Sequence, residues 1–494
     1  MIPYLVLDDP EAWDLELPGV EVVAARDYLT DPRFSQARRV KVFNLCQDYR
    51  YQTTGYYVSL VAAARGHKPL PQVATFQDLR SAPVVRLASQ ELDAKIQKAL
   101  KNIKSDKFVL SVYFGRNIAS RYDTLSRALF NLFPAPLLRA TFERGEERWR
   151  VVSIRPIAMK DIPESHKASV VEHARRYFER PTRSPKKRYR YDLAILTNPE
   201  EVDAPSDAGA IQRFIKAANS LGIDARVISK DDYGRLAEYD GLFIRETTSV
   251  PHHTFRFAQR AQAEGLVVID DPESILRCTN KVFQAELFAR YELPCPKTVL
   301  VDEKSAKELP ERLSFPMVLK QPDSAFSLGV KRADNPEQLQ AILTELFDGS
   351  ELVVAQEYTP SAFDWRVGIL DGKPLFACRY HMAKGHWQIQ KNLDEGKRRF
   401  GKVDTLPLEE VPKKALNLAV EAASHVGNGL YGVDVKEVNK RFLIMEINDN
   451  PNIDHGYEDR FLGDKLYTAV MQVFLDRMEA RSGAESKADE KEAR

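Results

Sequence analysis

At 494 residues the chain is long enough for about three domains. Its apolar fraction of 44% and charged fraction of 29% are ordinary for a globular protein, and a net charge of +1 supplies no global field for nucleic acid or an anionic membrane, so neither partner is expected. The opening residues, Met-Ile-Pro-Tyr-Leu-Val-Leu-Asp-Asp, have no basic n-region, no apolar run is long enough to span a bilayer, and Cys46, Cys278, Cys295 and Cys378 are scattered without metal or disulfide spacing, so the expected setting is cytoplasmic with reduced thiols.

Taken in order, residues 3–8 and 40–45 read as short strands, and 56–64 as a helix stopped by Gly66. The loop ahead of that helix, 44–55, is rich in Arg, Tyr, Thr and Gly. It can hold an anion at a helix N-terminus, although tyrosines packed on a neighbour explain it equally simply. Residues 107–113 and 148–157 read as strands and 125–133 as a helix. Residues 1–163 therefore form a mixed α and β accessory domain with no catalytic constellation, and Arg50, Arg116 and Arg155 read as solvated. Residues 164–190 read as a charged linker. Its run of Lys186, Lys187, Arg188 and Arg190 is basic, but no nucleic-acid fold motif accompanies it.

From Tyr191 the pattern restarts. Strands near 193–196, 225–228, 241–244 and 266–269 alternate with helices near 207–221 and 255–264, which predicts a small open parallel sheet over 191–275. Arg245 directly follows a strand, where ligands bind in such sheets, so it is a candidate clamp for a substrate carboxylate or phosphate; a surface ion pair is the alternative. No Gly-x-Gly-x-x-Gly run and no Gly-x-x-x-x-Gly-Lys-Ser/Thr run is present, so any nucleotide is held by other means.

Residues 276–480 carry the densest chemistry, followed by a charged tail over 481–494. A helix opens at Asn280-Lys281. Residues 315–320 form a strand ending in Lys320, followed by a loop of Asp323, Ser324, Ser327 and Gly329 that can cradle phosphates. A strand at 352–355 runs into Gln356-Glu357-Tyr358, which can present backbone groups to an adenine edge and a carboxylate to a ribose. Asp364 and Arg366 open a further strand, Asp371-Gly372 turns it, and Arg379 lies on the return. Residues 383–392 read as a polar loop with Trp387 and Asn392, and 406–427 as a helix. Last, apolar residues at 443–447 pair with a shorter segment ending at Asp434 through a turn at Asn439-Lys440. That hairpin brings Asp434, Glu446 and Asn448 together as three hard oxygen ligands suited to magnesium.

These pieces, in this order, resemble the ATP-grasp ligases, and within them the branch of ribosomal-protein glutamate ligases and related carboxylate–amine ligases. The likeness spans about residues 191–480. It implies an α/β and α+β chain: an ATP-grasp fold preceded by the small parallel-sheet domain and the separate mixed N-terminal domain. It further implies Lys281 and Lys320 on the nucleotide phosphates, with Ser324, Ser327 and Gly329 in a flap over them. Gln356, Glu357 and Tyr358 form the adenine and ribose hinge, with Asn392 also toward the nucleotide. Arg366 and Arg379 are catalytic, Asp364, Trp387, Asn450 and Arg245 face the substrate, and Asp434, Glu446 and Asn448 hold Mg2+ or Mn2+. Two departures stand out. The flap keeps only Gly329, and Gly385-His386-Trp387-Gln388 replaces the branch's Gly-Asp-Phe-Arg, without a following Gly-Gly pair.

The expected reaction is ATP-dependent joining of a carboxylate to an amine or peptide through an acyl phosphate, with glutamate or aspartate as one substrate and ADP and phosphate as products. A thiol or hydroxyl acceptor, and a non-catalytic nucleotide sensor, are the alternatives. The N-terminal domain is expected to help select the acceptor, and assembly into a homo-oligomer is left open.

Overall fold

The computed structural model describes residues 2–12, 17, 19–37, 40–145, 148–178, 189–323, 329–383, 387, 390–392 and 398–492. The chain divides into two compact units: Met1–Arg188 together with Asp231–Glu238, and Tyr189–Lys230 together with Tyr239–Arg494.

In the first unit, the strands Glu21–Ala24, Ile2–Leu7, Val40–Asn44 and Lys68–Leu70 lie side by side in that order as a parallel sheet. Val40–Asn44 is buried along its whole length, as a central parallel strand covered on both faces requires. The helix Thr54–Ala64 follows, and Gly66 ends it with φ 66°. Lys107–Tyr113, Leu137–Arg144 and Trp149–Pro156 make a separate antiparallel sheet, and the long helix Ala82–Leu100 packs on it through Leu92, Ile96 and Leu100.

The stretch expected to be a charged linker begins as structure. The helix Lys167–Phe178 places Val170, Ala174 and Tyr177 in the core of the first unit, and its charged residues face outward. Phe43 meets Phe178 at 4.7 Å and Tyr177 at 5.7 Å between ring centroids. The rest of the expected linker, 179–188, lies outside the described residues. Glu238 is buried in the same unit, 3.1 Å from Lys41 Nζ, and accepts hydrogen bonds from Tyr177 Oη and Arg235.

Among its described residues the second unit contains four sheets, the smallest the antiparallel pair Gln390–Asn392 and Arg398–Phe400. Val267–Ile269, Gly241–Ile244, Tyr191–Leu196 and Ile223–Ile228 form a parallel sheet in that order, the alternation expected for 191–275. The helices Ala208–Ser220 and Asp464–Glu492 pack together beside it, with Phe214 and Tyr467 rings 4.8 Å apart. Asp464–Glu492 runs on through the residues expected to be a tail. Thr298–Val301, Val353–Glu357, Met317–Lys320 and Val330–Ala333 form an antiparallel sheet. Val403–Leu406, Lys373–His381, Phe363–Leu370, Leu430–Val438 and Arg441–Asp449 form a five-stranded antiparallel sheet. The helix expected at 406–427 is shorter, Lys413–Ser424, because Leu406 closes a strand and Pro407 and Pro412 intervene. Among the described residues, no helix is long and apolar enough to cross a membrane.

The Glu238 cluster yields a stability test. Burial opposes its charge, but Arg235 and Lys41 outweigh burial and hold its carboxyl far below the usual range. Glu238→Ala removes the buried carboxylate that Lys41, Arg235 and Tyr177 share and is expected to cost about 3–5 kcal/mol, read by urea denaturation of the full chain. With a depressed folded pKa, this contribution is complete above the ordinary value near 4.5 and is lost as pH falls toward the folded pKa.

Candidate active site

The site grows from the hairpin of Leu430–Val438 and Arg441–Asp449. Asn439 and Lys440 turn it in left-handed conformations, φ 50° and 62°, the backbone a two-residue I′ turn requires. Register sets Asp434 opposite Glu446 and Gly432 opposite Asn448. On its other edge Leu430–Val438 pairs with Phe363–Leu370, with Arg366 opposite Asp434 and Asp364 opposite Lys436. Cross-strand partners share a face and side chains alternate along a strand. Asp364, Arg366, Asp434, Lys436, Glu446 and Asn448 therefore project from one face. Trp365, Val367, Val433, Val435 and Ile447 fill the core beneath the other.

Charges on this face are paired closely. Arg366 grips both carboxylate oxygens of Asp434, with Nη2 to Oδ2 at 2.9 Å. Burial works against the guanidinium charge, but Asp434 outweighs it and keeps the Arg366 pKa above its ordinary value. Burial pushes the Asp434 carboxyl up, Arg366 pulls it down, and Glu446 pushes it up again. Lys436 Nζ lies 2.6 Å from Asp364 Oδ1 and 2.7 Å from Ser361 Oγ.

Lys281 comes from the helix Lys281–Arg290, which Asn280 caps by accepting from the Val282 and Phe283 N–H groups. One turn on, Gln284 donates to the Ile447 carbonyl at 2.9 Å and accepts from the Ile447 N–H at 2.8 Å. That two-way bond pins the helix to the hairpin, and Lys281 Nζ stands 3.4 Å from Glu446 Oε1. Lys320, at the end of Met317–Lys320, enters the same field. Burial lowers its pKa to about 8; Glu446 and Asp364 support its charge, while Lys281 and Lys436 oppose it. Glu446 and Asp364 each have a lysine in salt-bridge distance, and among the described residues Lys320 has no carboxylate within that distance. A cationic group held this way favours a polyanion.

Gln356 and Glu357 end the strand Val353–Glu357, which pairs directly with the strand bearing Lys320. Gln356 is buried and donates to Thr298 Oγ1 at 3.0 Å. Tyr358 has the Arg332 guanidinium over its ring at 5.0 Å and Trp387 edge-on at 5.9 Å. Gly329, φ 71°, accepts from the Gln321 N–H at 3.0 Å. Ser324 and Ser327 lie outside the described residues, as does the side chain of Asn392.

Three expected site residues are not brought to the charged face. Arg379 pairs with Trp365 and Asp404, one position out of phase with Arg366, so it lies on the opposite face; its guanidinium rests over Trp365 at 4.7 Å and Phe363 at 5.1 Å. Arg245 is 1% exposed, and it donates to Ser206 Oγ at 3.0 Å, the Asn450 side-chain oxygen, and the Pro205 and Pro451 carbonyls. Four such bonds commit the guanidinium to holding loops, in place of the expected substrate clamp. Asn450, with φ 48°, is engaged in that network and also donates to the Glu246 carbonyl. Conversely, Lys436 and Gln284 were not singled out from sequence. The signal for Lys436 was available, because it follows Asp434 by two residues on a strand.

The donor set fits magnesium or manganese in chemistry. Asp434 and Glu446 are cross-strand partners, and the Asn448 amide lies 3.4 Å from Asp434 Oδ2. A half-turn of that amide presents a third oxygen. Since Arg366 holds both oxygens of Asp434, an ion would have to displace at least one of those contacts.

Residues 25–173 match the family described as the RimK-like ATPgrasp N-terminal domain, and residues 278–461 match the RimK-like ATP-grasp domain. The "Probable alpha-L-glutamate ligase" of a Marinomonas species is 25% identical over 262 residues, covering 49% of this chain and 84% of that protein. The "Alpha-aminoadipate--LysW ligase LysX" of Saccharolobus solfataricus is 27% identical over 197 residues, covering 38% of this chain and 67% of that protein. Among solved structures, a RimK domain protein ATP-grasp from Sphaerobacter thermophilus is 14% identical with a TM-score of 0.43, covering 57% of this chain and 98% of that one.

The lowered pKa of Lys320 gives a pH test. The side chain is charged below about 8 and loses its charge as pH rises through that value. If phosphates bind the charged form, ATP affinity is full at pH 7 and falls by up to about tenfold per pH unit above 8. Lys320→Ala should bind ATP far more weakly and with a flattened pH profile. Isothermal titration at pH 7, 8 and 9 checks both; equal affinity in the two proteins would remove Lys320 from the nucleotide site.

Proposed function

This chain belongs to the ATP-grasp superfamily, in its RimK-like glutamate-ligase branch, and is a carboxylate–amine ligase; we propose that it works through an acyl phosphate and takes glutamate or aspartate as one substrate. The observation that carries this reading is the single sheet face on which Lys281, Lys320, Lys436 and Arg366 meet Asp364, Asp434 and Glu446. Phosphoryl transfer to a carboxylate needs that combination: fixed positive charge for the phosphate oxygens and carboxylates for an ion.

An amine does not displace oxygen from a carboxylate, so the carboxylate must be activated. Its oxygen attacks the γ-phosphorus of ATP, the new O–P bond forms, the bond to the β–γ bridging oxygen breaks, and ADP leaves. Lys281 and Lys320 bear the phosphate charge during transfer. Magnesium bound by Asp434, Glu446 and Asn448 would neutralise phosphate oxygens. Arg366 is the residue on this face suited to steady the acyl phosphate once its hold on Asp434 loosens. The free amine then attacks the carbonyl carbon, the C–N bond forms, the C–O bond to phosphate breaks, and a proton leaves the nitrogen. Gln356, Glu357 and Tyr358 are assigned to the nucleotide base and ribose, and Trp387, beside Tyr358, to the substrate side.

The acidic class of substrate draws on relatives named for glutamate and α-aminoadipate ligation. Whether that amino acid supplies the carboxylate or the amine is decided by trapping. ADP release should be stimulated by glutamate or aspartate, alone or with an amine pool. With labelled glutamate and hydroxylamine, a labelled hydroxamate marks glutamate as the activated carboxylate; a labelled amide without hydroxamate marks it as the amine. No stimulation by either amino acid would end the acidic-substrate reading. Glu446→Gln keeps the side-chain size but removes one negative charge, and turnover should fall by about 100-fold or more; near-normal ADP formation would sink the role given to Glu446.

A further inference from the structure

A second cluster of ligating side chains lies outside this chemistry. Glu246 stands two residues beyond the strand Gly241–Ile244, and His252 and His253 end the following loop at the start of the helix His253–Ala263. One ligating atom from each of the three lies within 4.8 Å of the others. His253 Nε2 is 2.6 Å from Glu246 Oε2, and the two imidazole rings are 3.9 Å apart between centroids. The Glu246 carboxylate is buried, while His253 retains a quarter of its side-chain exposure, so the cluster opens to solvent on the imidazole side. A single histidine would satisfy the buried carboxylate. The second imidazole packs against the first, with His252 Nδ1 3.2 Å from Thr254 Oγ1.

We propose that Glu246, His252 and His253 form a second metal site, which takes a late first-row divalent ion of the zinc class through two imidazole nitrogens and one carboxylate oxygen. A tetrahedral ion with bonds of about 2.0–2.1 Å sets its ligands about 3.4 Å apart. The Glu246–His253 hydrogen bond opens by under an ångström as the ion replaces its proton, and the widest separation closes by little more than one. The fourth position faces solvent.

The surroundings hold these ligands in place. The Thr247 N–H donates to the Glu201 carboxylate at 3.1 Å, and Asn450 donates to the Glu246 carbonyl. The ion would thus clamp the loop 247–251, and through Asn450 it abuts the end of the strand carrying Glu446 and Asn448. Ligand type separates the two sites: three oxygens favour magnesium, and two nitrogens with one oxygen favour zinc-class ions.

The test uses the full chain with magnesium in millimolar excess, titrated with Co2+ and followed by its visible d–d absorption, then by displacement with Zn2+. One equivalent of Co2+ is expected to bind, with the spectrum of a low-coordinate nitrogen and oxygen site. His252→Asn and His253→Gln should each weaken it by about 100-fold or more, whereas Glu446→Gln leaves it unchanged. Gln at 253 can still hydrogen-bond Glu246, so loss of Co2+ with unchanged circular dichroism separates ligation from a structural contact. If His253→Gln does not fold, His252→Asn decides alone. No stoichiometric Co2+ binding, or binding indifferent to the histidine variants, overturns the site. Loss in Glu446→Gln alone would mean the ion sits on the oxygen set. None of these readouts requires ligase turnover, so failure of this site leaves the ligase reading standing, and the reverse also holds.

Discussion

The cross-strand register of one hairpin governs the active site. Because Asp434 faces Glu446 on one side and Arg366 on the other, three strands deliver alternating charge to a half-buried patch. Each charge there would be costly alone. Arg366 holds Asp434, Lys436 holds Asp364, and Lys281 lies by Glu446, which leaves Lys320 as the cation with no salt-bridge partner among the described residues. The patch tolerates this only by lowering the affinity of Lys320 for its proton. A slip of one residue in the hairpin would put Val433 and Val435 where the carboxylates are and move the site into the core. The Asn439-Lys440 turn sets Val435 opposite Ile444, and an irregularity between Asp434 and Val435 then brings Asp434 opposite Glu446.

Much of this was legible in the sequence because strands repeat every two residues and the turn carries its own chemistry. Asp434, Glu446 and Asn448 could be placed near one another from an apolar run and a turn dipeptide, while the pairing of Asp434 with Glu446 rests on an irregularity between Asp434 and Val435. The same rule, applied one residue further, adds Lys436. Arg379 shows the opposite failure. Its place on the returning strand was correct, but its phase depends on how Lys373–His381 pairs with Phe363–Leu370, and that register includes an irregularity at Gly368/Ile369. No local pattern reveals such a shift, and it separates the charged face from the face where Arg379 lies over Trp365.

Arg245 and the 164–190 segment failed for a different reason: both are charged and both are needed by the interior. A strand-end arginine in an open sheet is a reasonable ligand clamp, yet here its acceptors come from residues 205, 206, 450 and 451, far apart in the chain. The helix Lys167–Phe178 was hidden by its composition, since its polar residues outnumber the Val170, Ala174 and Tyr177 that anchor it. In both cases the deciding partners are distant in sequence, and composition within a window carries no trace of them.

Arg366 is the residue on which structure and proposed chemistry press hardest. Burial raises the Asp434 carboxyl above its ordinary pKa, and the bidentate pair with Arg366 works against that rise. The same pair occupies the oxygens that an ion needs. Asp434, Glu446 and Asn448 would hold such an ion, and Arg366 would then have donors to offer phosphate oxygens on this face. Arg366 also stands over the backbone of Gly432: a Cβ there would come within 2.9 Å of its Cδ and 2.8 Å of Pro451 Cβ, so a glycine at that position gives the arginine its room. On this reading, binding an ion and freeing an arginine for the transferred group are one exchange of charge at Asp434.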